Sequence, residues 1–268
     1  MVWWVAMNHR LAKFIIDLLY CSAFPLFVLG TIAVSNFVSI PNVPRYEFIF
    51  FSCLAYQVFM LATKIEMPKE FGTVFLFHGL GVGLEMFKVN HGGWSYPEEA
   101  WWKLLGVPLY SGFMYASVGS FILACWKRFE IELVEFRSQR AMTILMVLIY
   151  ANFFTNYWIL DMKPTLLAVA LWLFWKTKLV VRNPLSDGDE KARVPLFALF
   201  PTLGLALWLA ENVGTLFGSW QYPRQTHGWT FVPPDKLLSW TVLVMVSFLL
   251  VASLFRDEGA RDVDRDLA

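Results

Sequence analysis

Two glutamates are placed where chemistry is plausible. Glu85 and Glu211 each stand near the end of a long apolar run, and each precedes a tryptophan by nine residues, Trp94 and Trp220. Each tryptophan opens the same W-x-Y-P, Trp94-Tyr96-Pro97 and Trp220-Tyr222-Pro223, with a glycine two residues ahead of it, Gly92 and Gly218. About ten residues later each copy meets a Val-Pro, Val107-Pro108 and Val232-Pro233. A carboxylate within an apolar run is costly, and such groups face a bundle interior or a water-filled cavity. Burial there favours the protonated form, and a second acid at similar depth favours it further. A protonated carboxylic acid at neutral pH is what protonating an alkene or a leaving group requires. The structural alternative is that each glutamate caps its loop or pairs with a neighbour such as Lys88.

Other residues are candidates around this pair. His78 lies seven residues before Glu85 and so on the same helical face, with Gly79, Gly81 and Gly83 between them. The second copy has Gly204 where the first has His78, so one copy carries a group the other lacks. The glycines have no strand-then-helix context and give no nucleotide fingerprint. Asn152 and Asn156, one turn apart in "YANFFTNYWILD", suit interhelical hydrogen bonds or the lining of the same cavity. Trp94, Tyr96, Trp220 and Tyr222 are the expected substrate-binding aromatics, able to flank a cation; the alternative is an interfacial aromatic belt. His9, His91 and His227 show no ligand spacing with His78, so no metal is expected. Nothing implies a cofactor.

The elements that position these residues follow from composition. Hydrophobic residues make up 57% of the 268-residue chain and charged residues only 16%, against roughly 25% charged in soluble domains. Mean hydropathy is +0.52. The expectation is an all-α, polytopic membrane helix bundle. Runs at about 12–35, 46–64, 71–88, 104–126, 141–160, 164–181, 195–217 and 236–255 suggest eight transmembrane helices. With the duplicated motif they read as two parallel four-helix repeats, 1–126 and 141–255. An amphipathic cytoplasmic helix is expected at 127–140, from Trp126, Phe129, Leu133 and Phe136 at helical spacing, and a disordered tail at 256–268. Most lysines and arginines fall on the side of the N-terminus, which predicts cytoplasmic termini and outer-face W-x-Y-P loops in a bacterial inner membrane. The first apolar stretch lacks a cleavage site and is expected to be retained. Cys21, Cys53 and Cys125 have unrelated spacings and suggest no disulfide framework. A net charge of +1 gives no reason to expect nucleic acid. Membrane lipids and a lipophilic small molecule are the expected partners; the sequence does not set an oligomeric state.

The motifs "HGLGVGLEMFKVNHGGWSYPE", "GVPLYSGFMYASVGSFI" and "LAENVGTLFGSWQYP…GW…KLLSW" resemble an uncharacterised bacterial membrane family, domain of unknown function 817, over about 45–255. That family supplies no activity. A more distant similarity is to membrane carotenoid hydratases and small lycopene cyclases, which place a glutamate before a Gly-aromatic-x-Tyr stretch. It implies Glu85 as the acid that protonates a polyene end, with Trp94 and Tyr96 flanking the carbocation. The Gly-Val-Pro of the hydratases corresponds to Gly106-Val107-Pro108, whereas the Pro-x-Glu-Glu element of the cyclases is not matched after Pro108.

Three function classes fit the sequence. One is an intramembrane enzyme acting on an isoprenoid or other lipophilic substrate through Glu85 and Glu211. The second is a small-solute or proton-coupled transporter, although spans three and seven lack the midspan break that builds transporter sites. The third is a non-catalytic membrane component whose loops dock a partner.

Overall fold

The computed structural model describes residues 2–135, 138–182 and 191–266. Among these the helices are α1 (Val2–Cys21), α2 (Ala23–Val34), α3 (Arg45–Ala62), α4 (Pro68–Asn90), α5 (Ser111–Arg128), α6 (Gln139–Thr155), α7 (Lys163–Phe174), α8 (Leu196–Leu216) and α9 (Lys236–Asp266). A short hairpin of β1 (Lys103–Leu104) and β2 (Val107–Pro108) leads into α5. A three-stranded antiparallel sheet joins β3 (Glu132–Val134), β4 (Lys178–Arg182) and β5 (Lys191–Pro195) in that order.

The expected bundle of eight spans in two four-helix repeats is not what forms. Among the described residues only α8 and the Lys236–Ser253 part of α9 are long and apolar enough to cross a membrane. A third span results only if α1 and α2, bent by 66° at their junction, count as one broken span. The physical reason is local. A crossing needs about 20 apolar residues, whereas α7 has 12 and α6 has 17. Helix α4 is long enough but carries Lys69, Glu70, His78, Glu85 and Lys88, and α3 carries Arg45, Glu47 and Gln57. The multi-pass reading therefore falls. So does the internal repeat: the first half holds five helices and a hairpin, and the second holds four helices interrupted by two strands.

The sheet also corrects the all-α expectation. Residues 127–140 form no amphipathic helix. Helix α5 ends at Arg128, Glu130 takes a left-handed φ of 48°, and β3 then pairs with β4. Ser138 caps α6 by accepting from the Ala141 N–H at 3.3 Å, while 136–137 lie outside the described residues. Loop residues 183–190 do too. The backbone from Arg256 to Asp266, expected as a disordered tail, continues α9.

Two tightly packed helix pairs frame the interior, α4 with α5 and α8 with α9, and α5 against α9 joins them. Small residues permit the approach. A Cβ on Gly81 of α4 would fall 2.5 Å from the Tyr115 ring of α5, and one on Gly204 of α8 would fall 2.3 Å from Thr241 of α9.

Candidate functional site

The helices that carry the two glutamates end in the same way. Gly92 and Gly218 adopt φ of 72° and 66°, the left-handed turn that glycine takes without a Cβ penalty. The N–H groups of Gly93 and Ser219 then bond back to Lys88 O and Gly214 O at 2.9 and 3.1 Å. These stops turn the two W-x-Y-P loops towards each other. Ser95 and Gln221 exchange both backbone hydrogen bonds, each at 2.9 Å, and the Trp94 and Tyr222 rings meet edge to face at 5.9 Å. Tyr46 and Tyr110 donate to Ser219 O at 3.0 and 2.7 Å, and Arg45 donates to Phe217 O at 2.6 Å. The loops are thus fixed from α3 and from the residue before α5.

The pairing brings Glu85 and Glu211 to one cavity of about 310 Å³ between α2, α4, α5, α8 and α9, with Phe153 of α6 and Lys163 of α7 also lining it. The two are 3% and 5% exposed. Glu85 accepts three hydrogen bonds: Oε2 from Trp94 Nε1 at 2.6 Å and Tyr96 OH at 2.8 Å, and Oε1 from Tyr115 OH at 2.7 Å. Glu211 accepts two, Oε1 from Tyr222 OH and Oε2 from Trp240 Nε1, both at 2.5 Å. A carboxylate offers about four acceptor positions. One therefore stays open on Glu85, at Oε1, and two stay open on Glu211.

Of the residues anticipated from sequence, Glu85, Glu211, Trp94, Trp220, Tyr222 and Asn156 line the cavity. Tyr96 stands behind Glu85 and holds it. Trp220 does not copy Trp94: its ring packs on Gly214, where a Cβ would lie 2.2 Å away, and Trp240 supplies the indole N–H to Glu211 instead. His78 is not brought to the site; its ring packs against Gly112 and meets Phe113 at 4.7 Å. Asn152 is buried away from the cavity, with neither side-chain polar atom hydrogen-bonded.

Tyr115 and Trp240 were missed as donors. A signal existed: each stands seven residues after the proline of its Val-Pro, Pro108 and Pro233. Lys88, weighed above only as a partner for a glutamate, instead lines the cavity with Lys163 and Lys236, neither of which was anticipated there. Lys88 Nζ lies 3.4 Å from Asn156 Oδ1 and 4.5 Å from the Tyr157 ring centroid. Lys163 pairs with Asp161 at 2.5 Å, and Lys236 lies over the Tyr222 and Trp94 rings at 5.1 and 6.0 Å. Burial, together with Lys163 and Lys236, pushes the Lys88 ammonium down to about 8. Burial opposes the charge of Asp161, but the hydrogen bonds and charge of Lys163 outweigh it and hold that carboxyl below its ordinary value.

Fold and site together define a helical protein with two helices long and apolar enough to cross a membrane and two buried carboxylates on one cavity. Comparison then places the chain. It belongs to the family described as "Protein of unknown function (DUF817)", which matches residues 10–248. It is 40% identical over 231 residues to "Uncharacterized protein YoaT" of Bacillus subtilis (strain 168), covering 86% of each chain. No solved structure matches it. Neither match carries the resemblance to carotenoid hydratases or lycopene cyclases.

Proposed function

We propose that this chain is a membrane-embedded enzyme that moves protons at carbon in an isoprenoid or other lipophilic substrate, with Glu85 and Glu211 as the proton-transfer groups. The observation that carries the reading is that both carboxyls line a single, largely apolar cavity. Its size suits a small ligand. The outward side of α8 supports a membrane setting: Leu205, Leu209, Val213 and Leu216 are all exposed, at the spacing of one helical stripe. In this reading α8 and the Lys236–Ser253 part of α9 are the helices that meet the bilayer.

In this reading one of the two carboxyls carries a proton and the other is ionised. The protonated member gives its hydrogen to one alkene carbon, whose π electrons form the new C–H bond. The second alkene carbon becomes the cation, and the other carboxylate takes a proton from the carbon beyond it, so that C–H pair becomes the new double bond. The step is redox-neutral and needs no co-reactant. Trp94, Trp220 and Tyr222 line the cavity beside the acids, where aromatic rings favour an intermediate cation, and the two phenols and the indole on Glu85 fix its open acceptor position towards the cavity.

The test reads proton transfer without knowing the product. Purified protein in detergent is incubated in D₂O with a membrane lipid extract, the lipids are washed with H₂O, and carbon-bound deuterium is measured by mass spectrometry. Label from wild type that is absent with Glu85→Gln and Glu211→Gln supports the reading. No label above a heat-denatured control, or equal label with Glu85→Gln, overturns it.

A further inference from the structure

We infer that the cavity takes an anionic-headed amphiphile, with its phosphate- or carboxylate-type head among Lys88, Lys163 and Lys236 and its apolar chain running inward along α9. The inference names a substrate class for the site above and so rests on that reading for the word substrate, though not for binding.

Three lysines from three different helices line the same cavity. Lys88 and Lys163 are buried, at 8% and 9% exposed. A buried ammonium is retained where something opposite in charge meets it. Asp161 answers Lys163. Among the described residues Lys88 and Lys236 form no ion pair: Lys88 has Asn156 and aromatic rings, and Lys236 has rings and the longer-range field of Glu211. The cluster thus holds more positive charge than its immediate partners offset.

Its position on the helices strengthens the case. Lys163 and Lys236 are the first residues of α7 and α9, where the helix macrodipole is positive and disfavours a cation. The first N–H of each helix is already engaged, Lys163 with Asp161 Oδ1 and Lys236 with Pro233 O, both at 3.0 Å, which leaves the ammoniums themselves as the anion ligands. Two helix starts and a third ammonium around one opening are mutually unfavourable when the opening is empty of negative charge. An anion relieves all three.

The interior argues for a chain behind that head. From Lys236 the cavity follows α9 past Trp240, Leu243 and Val244 to Ser247, roughly 16 Å along the axis at 1.5 Å per residue. Val28, Leu29 and Val118 form facing walls. A free inorganic anion would leave that length unused. The indole on Glu211 comes from Trp240, about 6 Å along α9 from Lys236 by the same rise, so the acids meet the first carbons after the head.

The experiment titrates purified full-length protein in dodecyl maltoside and follows the fluorescence of the cavity tryptophans. The probes are decyl phosphate, decanol and inorganic phosphate. Decyl phosphate is expected to bind at least about ten-fold more tightly than decanol, with inorganic phosphate failing to compete at equal concentration. Lys88→Gln and Lys236→Gln should each weaken decyl phosphate several-fold, and Lys236→Arg should restore it. Equal affinity for decyl phosphate and decanol overturns the inference within wild type alone, whatever the variants do on folding. So does unchanged affinity in lysine variants that elute and unfold like wild type. Effective competition by inorganic phosphate would assign the site to a soluble anion and reject the amphiphile. The two readings separate cleanly: head-selective binding without deuterium labelling rejects only the proton-transfer reaction, and labelling without head selectivity rejects only this inference.

Discussion

Ser95 and Gln221, 126 residues apart in the chain, exchange both of their backbone hydrogen bonds at 2.9 Å. This one reciprocal contact fastens the loop after α4 to the loop after α8. Without it the two carboxyls belong to separate helix ends; with it they share a cavity.

The pair is close enough to cross-link. Residues that exchange both bonds in an antiparallel bridge have Cα atoms about 5.5 Å apart, inside the range a disulfide spans. With Cys21, Cys53 and Cys125 replaced by serine, the Ser95→Cys/Gln221→Cys chain should close an intramolecular disulfide under mild oxidation. Intact mass would show the loss of two hydrogens. A chain that stays reduced, or that links only between molecules, would show that the loops do not meet.

Tyr115→Phe removes one of the three donors on Glu85. A hydrogen bond to a charged acceptor contributes about 1.5–3 kcal/mol, and a loss of that order is expected in equilibrium unfolding in detergent. In the Glu85→Gln background the same change should cost clearly less, since contacting residues are not additive. Equal costs in both backgrounds would mean that Tyr115 acts elsewhere.

Gly81→Ala puts a methyl 2.5 Å from the Tyr115 ring. The nearest atoms include Tyr115 Cβ, so the helices must separate and the phenol must leave Glu85. Overpacking of this kind costs about 1–3 kcal/mol. Tyr115→Gly removes the ring and its Cβ together, and in that background Gly81→Ala should be nearly neutral. Thermal unfolding of the four proteins checks the cycle.

Binding at the cavity mouth should depend on pH with a defined sign. Lys88 is pushed down to about 8 by burial and by Lys163 and Lys236, with Asp161 acting in the opposite sense. Raising the pH through 8 discharges it, so an anion whose own charge is constant should bind more weakly above that point. Decyl sulfonate titrated from pH 6 to 9 is the probe. A flat profile in wild type, or the same slope in Lys88→Gln, would exclude Lys88 as the titrating group.

Much of the site was legible because spacing recurs. Glu85 with Tyr96 and Glu211 with Tyr222 are each 11 residues apart and form the same bond. Gly92 and Gly218 announced the matching helix stops. What spacing could not give was the partner from another element. Lys163 reaches the cavity from the start of α7, and Trp220, placed like Trp94 in the chain, yields its bond to Trp240. His78 shares a helical face with Glu85 only at the resolution of seven residues, and its ring turns into the α4–α5 contact. The spans were over-read for a different reason. A hydropathy window adds apolar residues across a turn, so "LLAVALWLFWKTKLVV" counts as one run although α7 stops at Phe174 and β4 starts at Lys178. One face of the stretch covers protein, with Leu166, Ala170, Phe174 and Leu179 buried, while Val169, Trp172 and Trp175 on the other are exposed.

The bond from Trp240 to Glu211 sets an order on how the protein comes into being. Glu85 appears in the first third of synthesis and Glu211 late in it, but the last donor waits until the first turns of α9 have been made. A ribosome-released chain that stops short of residue 240 would hold every residue of the W-x-Y-P loops and still have an unfinished site, so completeness of translation is itself a condition that the geometry imposes.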